Sequence, residues 1–74
     1  MIDFKNVKRV YSGRPGCMCG CRGTYNTSAL SIKRAVNKLN KRIDWSNSLA
    51  VQSHMDDKCA WFESETYTKV VYFS

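Results

Sequence analysis

The sequence has few of the side chains that enzymes use for acid–base chemistry. His54 is the only histidine, and the chain has six acidic residues in all. Asp56 and Asp57 are adjacent and would point to opposite sides of a strand, which is typical of turn residues. Glu63 and Glu65 are expected to form a solvent-facing pair. Because no pair of carboxylates is arranged for acid–base catalysis, the sequence predicts a protein that is not an enzyme.

Long hydrophobic stretches are absent too. No stretch approaches the roughly 20 apolar residues that a membrane-spanning helix needs. The start of the chain, MIDFK, lacks the basic region and the apolar segment that open a secretory signal. These absences predict a cytoplasmic protein with no membrane partner, whose four cysteines are reduced thiols or metal ligands rather than disulfides.

Negative charge is scarce in the first part of the chain. The 74 residues suffice for a single domain, residues 1–74. Residues 1–43 contain ten Lys or Arg and one acid, a net charge of +9, whereas residues 44–74 contain two lysines and five acids, a net charge of −3. Such a separation of charge creates a field that attracts phosphate and other anions. Solubility alone is the alternative explanation for a charge of this size.

Residues 28–43 have the clearest hydrophobic pattern in the sequence. Their apolar side chains recur at steps of three and four residues, which predicts an amphipathic helix. Either Thr27 or Ser28 can cap the first turn, and the basic residues near the end suit the negative end of the helix dipole. The apolar stripe consists of Ala29, Ile32, Val36, Leu39 and Ile43.

Strand patterns lie on both sides of this helix. Residues 4–11 predict a first strand, and residues 49–53 predict a short one after the helix. Residues 58–63 and 66–73 are rich in β-branched and aromatic side chains and predict a hairpin. The predicted fold is α+β, a small, mostly antiparallel sheet in the order β-loop-α-β-β-β with one amphipathic helix packed on it.

The predicted last strand carries apolar groups on both of its faces, in the run Val70, Val71, Tyr72 and Phe73. A single helix can cover only one face of the sheet, which leaves the other face exposed. An exposed apolar sheet face favours association with a second copy. We therefore predict a homodimer or a higher homo-oligomer.

Residues 12–23, SGRPGCMCGCRG, hold all four glycines and the only proline and predict a structured loop. Glycines let backbone N–H groups form a concave anion site, and the loop leads toward the predicted helix N-terminus, whose partial charge is positive. Arg14 and Arg22 could hold a phosphate in bidentate geometry, and Tyr11 and Tyr25 offer rings on which a base could stack. The predicted ligand-binding residues are Tyr11, Arg14, Gly16, Cys17, Met18, Cys19, Gly20, Arg22 and Tyr25.

The cysteines have three interpretations. They act as small buried hydrophobes that let the loop fold tightly, they bind zinc, or one of them is a reactive thiol. The spacing argues against zinc, because common sites place two or more residues between paired ligands. A reactive Cys59 with His54 lacks a third group to orient it. Structural thiols are favoured, and no metal or cofactor is predicted; the zinc ligands would otherwise be Cys17, Cys19 and Cys21 with Cys59 or His54.

Basic residues occupy the side of the helix opposite its apolar stripe. A solvated surface is the usual role of such residues. The alternative is a surface that binds nucleic acid or an acidic host protein. Charge alone supports this alternative, because no second helix for a helix-turn-helix and no zinc-finger spacing is present. The residues of this helix face are Lys33, Arg34, Asn37, Lys38, Lys41 and Arg42.

The segment YSGRPGCMCGCRGTY, from Tyr11 to Tyr25, is followed by a basic helix and by a C-terminal strand that ends in VVYF at Phe73. In these features the chain resembles a group of small uncharacterised bacteriophage proteins with a YSGxPGCxCGCxGxY loop. The resemblance covers most of the chain, and the loop is its specific part. It carries no established activity, and what it implies is a phage context in the host cytoplasm.

Small phage proteins of this kind often counter host defence. Some act as sponges, small oligomers whose basic pocket sequesters a nucleotide signal of the host, and this chain is similar to them in size, charge and expected oligomerisation. The resemblance therefore implies immune evasion by binding a cyclic ADP-ribose-like molecule or a cyclic dinucleotide without catalysis.

Overall fold

A computed structural model describes residues 1–15 and 23–74 of the chain. Helix α1 spans Ala29–Arg42, with Ser28 as its N-cap and Ile43 as its C-cap, which confirms the helix predicted over residues 28–43. The Ser28 side chain accepts a hydrogen bond from the backbone N–H of Ser31, so the first turn has one of its free donors satisfied.

Four strands in the described residues form one antiparallel sheet in the order β2-β1-β4-β3. They are β1 (Arg9–Gly13), β2 (Thr24–Asn26), β3 (Cys59–Glu63) and β4 (Thr68–Tyr72). The fold is therefore α+β with an antiparallel sheet, as predicted, and β3 with β4 is the predicted hairpin. None of the described helices is long and apolar enough to cross a membrane.

Helix α1 covers one face of the sheet, the helix face, and the hydrophobic core lies between them. Leu39 and Ala35 of the helix are fully buried against this face. Asn40 fixes the start of the chain to the same helix, because its amide side chain pairs with both the N–H and the C=O of Ile2 at 2.9 and 3.0 Å. The sheet residues of this core are Val10, Ala60, Phe62 and Val71.

The strand predicted over residues 49–53 is wrong. A second helix, α2 (Ser48–His54), occupies this segment. The Asn47 side chain caps it by accepting hydrogen bonds from the N–H groups of Leu49 and Ala50. Val51 and Met55, four residues apart, pack against the core, whereas Leu49 is 74% exposed, so the burial follows a helical repeat.

The first strand is shorter and later than predicted. Asp3 caps a single 3₁₀ turn over Phe4–Asn6, and β1 begins only at Arg9. Strand β2 was not predicted and consists of only three residues. It pairs with β1 through Tyr11–Tyr25 and Ser12–Thr24, so the glycine- and cysteine-rich segment is the connection of a β-hairpin.

The far face of the sheet is the one opposite helix α1. The strand registers align its side chains in rows, because directly paired residues point to the same side. Tyr11, Thr68 and Val70 on this face are buried, so it is not the bare apolar face that the sequence predicts. The far face carries Arg9, Tyr11, Tyr25, Cys59, Trp61, Glu63, Thr68, Val70 and Tyr72.

Candidate ligand-binding site

Three tyrosines, Tyr11, Tyr25 and Tyr72, lie together on the far face of the sheet. The Tyr11 and Tyr25 rings have centroids 5.2 Å apart, and the Tyr25 and Tyr72 rings 6.1 Å apart. They come from three neighbouring strands, because Tyr25 pairs with Tyr11 and Tyr72 lies one row further along β4. Tilted rings at these distances attract each other and hold the tyrosines in fixed positions.

Arg9 joins this cluster and brings a positive charge to it. Its guanidinium carbon lies 4.6 Å from the centroid of the Tyr72 ring and 5.2 Å from that of Tyr25. A guanidinium over an aromatic face keeps its N–H donors at the ring edge, where a ligand can reach them. We call Arg9, Tyr25 and Tyr72 the tyrosine–arginine platform.

Tyr11 supports this platform from below. It has no exposed surface, whereas Tyr25 is 49% exposed, so Tyr25 is the predicted stacking residue that a base could reach in this structure. The Tyr11 ring lies against Gly13 and Gly23, where a methyl group on either glycine would overlap the ring. Both glycines are therefore needed for the space that the tyrosine ring fills.

The environment of the platform disfavours ionisation of the Tyr72 hydroxyl. Partial burial raises the pKa of the Tyr72 hydroxyl, and a hydrogen bond with the Tyr25 side chain raises it further. The charge of Arg9 acts in the opposite direction and lowers it. The platform thus combines the protonated Tyr72 hydroxyl with the guanidinium cation of Arg9.

The remaining predicted site residues stand in two groups. Arg14 is exposed and directly follows β1. Gly16, Cys17, Met18, Cys19, Gly20 and Arg22 lie outside the described residues. Pairing of Ser12 with Thr24 fixes both strands from which this segment departs, and these strands carry Arg9 and Tyr25 of the platform, whereas Tyr72 lies on β4.

The loop does not lead directly into a helix N-terminus, as the sequence suggested. Strand β2 lies between them and separates Gly23 from the first turn of α1. Two N–H groups at that end are also engaged, because Asn26 accepts from the N–H of the N-cap Ser28, and Ser28 accepts from that of Ser31. The helix dipole therefore contributes less to an anion site at the loop than predicted.

The two predicted zinc or catalytic partners outside the loop have other roles. The His54 Nδ1 atom donates to the carbonyl oxygen of Trp61 at 3.0 Å. Burial and the nearby charge of Asp56 raise the pKa of the Cys59 thiol, which disfavours the thiolate that a metal or an electrophile needs. Within residues 1–15 and 23–74, no cluster of His, Cys, Asp and Glu could hold a metal ion.

The basic face of helix α1 divides into two sides. The Lys33 Nζ lies 4.9 Å from the centroid of the Phe4 ring. Beside the β3–β4 hairpin, the guanidinium carbon of Arg42 lies 4.7 Å from the centroid of the Phe62 ring. Lys38 lies 5.4 Å from the centroid of Tyr67. These cations are exposed but their stems cover aromatic rings, so part of the predicted basic face also serves packing.

Arg9 and Tyr72 are the members of the platform that the sequence did not single out. The signal for Arg9 was its position two residues before Tyr11, which places both side chains on one face of β1. Tyr72 could not be found in this way, because its place beside Tyr25 depends on the order β2-β1-β4.

Comparison of the chain with models of protein families, with curated proteins and with solved structures finds no match. Function is therefore inferred from the side chains of the site.

Proposed function

We propose that this protein binds and sequesters a nucleotide-derived signal without catalysing a reaction. The observation that carries this proposal is the Arg9 guanidinium, which lies over two tyrosine rings beside the half-exposed Tyr25. A nucleotide presents a flat base and a charged phosphate, and this pair of groups matches an aromatic ring next to a fixed cation.

The ligand would contact the platform and the glycine- and cysteine-rich loop together. The base stacks on Tyr25, and Arg9 contacts a phosphate from the edge of the rings. Arg14 adds a second cation from the described part of the hairpin. The loop residues predicted to bind phosphate are the backbone N–H groups of residues 16–20 and the side chain of Arg22.

A ligand with two phosphates and a planar base fits this arrangement best. Cyclic ADP-ribose-like molecules and cyclic dinucleotides have this composition, and a sponge that removes them from a bacterial host would serve a bacteriophage as an anti-defence protein in the host cytoplasm. A chain of 74 residues encloses little volume, so a second copy is expected to complete the pocket as a homodimer or higher oligomer.

Binding tests with purified protein examine the site directly. Isothermal titration with cyclic ADP-ribose and cyclic dinucleotides should give saturable binding that the double variant Arg14→Ala, Arg22→Ala abolishes. Tyr25→Leu should weaken binding by about tenfold or more, as expected for a lost stacking contact of 1–3 kcal/mol. The control Arg34→Ala, Lys41→Ala removes the same charge from the helix, and equal losses in both double variants would contradict a specific site.

Native mass spectrometry identifies the ligand class from cells. Protein from cells with an active nucleotide-signalling defence should form an oligomer with an added mass of a few hundred daltons. Protein from cells without that system should lack the added mass. Ligand-free protein from both sources would argue against sequestration, and a zinc increment would favour the metal-binding alternative.

The exposed basic face of α1 favours a second candidate function, binding of nucleic acid or of an acidic host protein. Arg34, Lys38 and Lys41 are exposed, and the first 43 residues carry most of the positive charge. Such binding should weaken steeply with salt and should depend on the helix rather than on the loop. The Arg34→Ala, Lys41→Ala variant therefore separates the two candidates.

A further inference from the structure

A second cluster of cations surrounds Tyr67, on the opposite side of the sheet from the tyrosine–arginine platform. The ammonium nitrogens of Lys38 and Lys69 each lie 5.4 Å from the centroid of the Tyr67 ring. Lys38 comes from helix α1 and Lys69 from strand β4, so two elements contribute to one position. The Lys38 Nζ also donates a hydrogen bond of 3.4 Å to the Tyr67 hydroxyl oxygen.

Arg42 extends this cluster along the helix. Its guanidinium lies 4.7 Å from the Phe62 ring, which meets the Tyr67 ring edge-on at 5.8 Å. Arg42 and Tyr67 line the same open groove of about 740 Å³ between α1 and the β3–β4 turn. The other residues that line this groove are Glu63, Ser64, Glu65 and Thr66.

The arrangement concentrates positive charge around one ring. Two ammonium groups that each lie 5.4 Å from the centroid of one ring are no more than about 11 Å apart, close to one Debye length at 0.1 M salt. Arg42 lies over the neighbouring Phe62 ring. Like charges within about one Debye length repel each other, and a bound anion reduces that repulsion. Because the Tyr67 oxygen accepts from Lys38, its O–H hydrogen remains to donate to such an anion.

We propose that Lys38, Arg42, Tyr67 and Lys69 form a binding site for a dianionic phosphate group, as in a phosphate monoester. Two ammonium groups and one hydroxyl lie at the Tyr67 ring, and a guanidinium lies over the neighbouring Phe62 ring, which suits the several acceptor oxygens of a phosphate. Lysine side chains already lie against the Tyr67 ring, so the site recognises the phosphate and not a base. The proposal does not depend on the tyrosine–arginine platform or on the loop.

The test is an NMR titration of the ¹⁵N-labelled full chain with inorganic phosphate, at constant ionic strength against chloride. Shifts should saturate at residues around Tyr67. Lys69→Met should weaken binding by about tenfold, the effect of a lost charge-assisted hydrogen bond. Lys33→Met is the matched control, since it removes a lysine of α1 that also lies over an aromatic ring, Phe4.

Lys33→Met should change the affinity for phosphate by less than about twofold, because Lys33 lies over the Phe4 ring and not over the Tyr67 ring, and an exposed charge outside the site is screened by salt. Lys69→Arg keeps the charge and should bind within about threefold of the parent protein. Absence of saturable shifts, or equal losses for Lys33→Met and Lys69→Met, would overturn the site. The site would also be overturned if the Lys69→Arg protein is folded but binds phosphate as poorly as Lys69→Met.

Two further probes identify the source of the phosphate. O-phosphoserine carries a monoester, whereas an oligothymidylate without terminal phosphates carries only diesters. The proposal expects phosphoserine to bind and to depend on Lys69. If the oligothymidylate binds more tightly than phosphoserine, and Lys33→Met and Lys69→Met weaken its binding equally, the surface is an extended one that binds nucleic acid. That outcome would overturn the proposal.

Discussion

The two faces of the sheet are built by different physical means. On the helix face, Val10 and Val71 pack with Leu39 in one continuous apolar core. On the far face, Arg9 and Tyr25 lie at the surface, and the contacts between neighbouring strands are those of rings with rings and of rings with a cation. The helix face therefore gains stability from burial, whereas the far face buries Tyr11, Thr68 and Val70 but also presents groups that can contact a ligand.

This difference separates stability from binding within a small chain. A domain of this size has a thin stability margin, so its core tolerates few changes. Half-exposed aromatic rings and cations contribute less to folding and can vary with less cost. The following predictions test this separation, first on the helix face and then on the far face.

The largest effect is expected for Leu39→Ala on the helix face. Leu39 is fully buried, and its truncation should lower the free energy of unfolding by roughly 2–5 kcal/mol through lost transfer energy and a cavity. Leu30 lies on the same helix but is 60% exposed, so Leu30→Ala should change the free energy of unfolding by less than about 0.5 kcal/mol. Urea unfolding followed by circular dichroism measures both, and similar values would contradict a core centred on α1.

The next effect tests the space under Tyr11 on the far face. In Gly13→Ala and in Gly23→Ala the new methyl group would overlap the Tyr11 ring, and each should cost roughly 1–3 kcal/mol through overpacking. At Gly13 the nearest atom is the Tyr11 hydroxyl, whereas at Gly23 it is the backbone oxygen of Ser12. Urea unfolding of both variants measures the cost.

A double-mutant cycle distinguishes the two glycines. Tyr11→Phe removes the hydroxyl that a methyl group at Gly13 meets, so it should recover part of the Gly13→Ala loss. It should recover less of the Gly23→Ala loss, because backbone cannot move aside as a side chain can. Equal recovery at both positions would mean that the hydroxyl does not limit the space.

Much of the helix face could be predicted from the sequence, because the buried residues of an amphipathic helix recur at regular steps of three and four positions. The predicted apolar stripe indicated α1, and four of its five residues are buried, whereas Ala29 in the first turn is exposed. The segment after α1 was predicted wrongly because its short apolar run, Leu49 to Val51, is compatible with a strand as well as with a helix. The cap at Asn47 and the four-residue step from Val51 to Met55 were the signals of a helix.

The far face could be predicted only in part, because its order depends on contacts between distant strands. Tyr25 was predicted from the loop, but the neighbours that make it a platform come from β1 and β4. Strand β2 is three residues long and exists through its pairing with β1, which no local pattern specifies. The cluster around Tyr67 likewise joins Lys38 and Lys69, which are 31 positions apart in the chain.

A smaller effect is expected for Arg9→Met. Loss of the guanidinium from the Tyr25 and Tyr72 rings should lower the free energy of unfolding by about 0.5–1 kcal/mol, as for an exposed cation–π contact. It should also move the pKa of Tyr72 further upward, because the charge of Arg9 lowers it. Arg9→Lys keeps the charge and should leave the Tyr72 titration close to that of the parent protein. Ultraviolet titration at 295 nm with Tyr72→Phe as reference measures this shift, and an unchanged titration in Arg9→Met would contradict the contact.

The smallest effect is an alkaline loss of stability that originates on the far face. Tyr72 and Cys59 are paired across β4 and β3, and burial raises the pKa of both side chains. The folded state therefore keeps these protons at a pH where the unfolded chain has begun to release them. The free energy of unfolding should be unaffected by these groups below their ordinary pKa values of 9.0 and 10.0, and it should fall as the pH rises through the higher folded values.

Urea unfolding at intervals from pH 8 to pH 11 measures this decline, with Cys59→Ala, Tyr72→Phe as the matched variant. Because the variant has neither ionisable group, its decline should be shallower than that of the parent protein. Both side chains are half-buried and screened by solvent, so the difference is expected to be small. The opposite sign, a steeper decline in the variant, would mean that the far face stabilises the ionised forms, and the platform would then carry negative charge where the proposed anion binds.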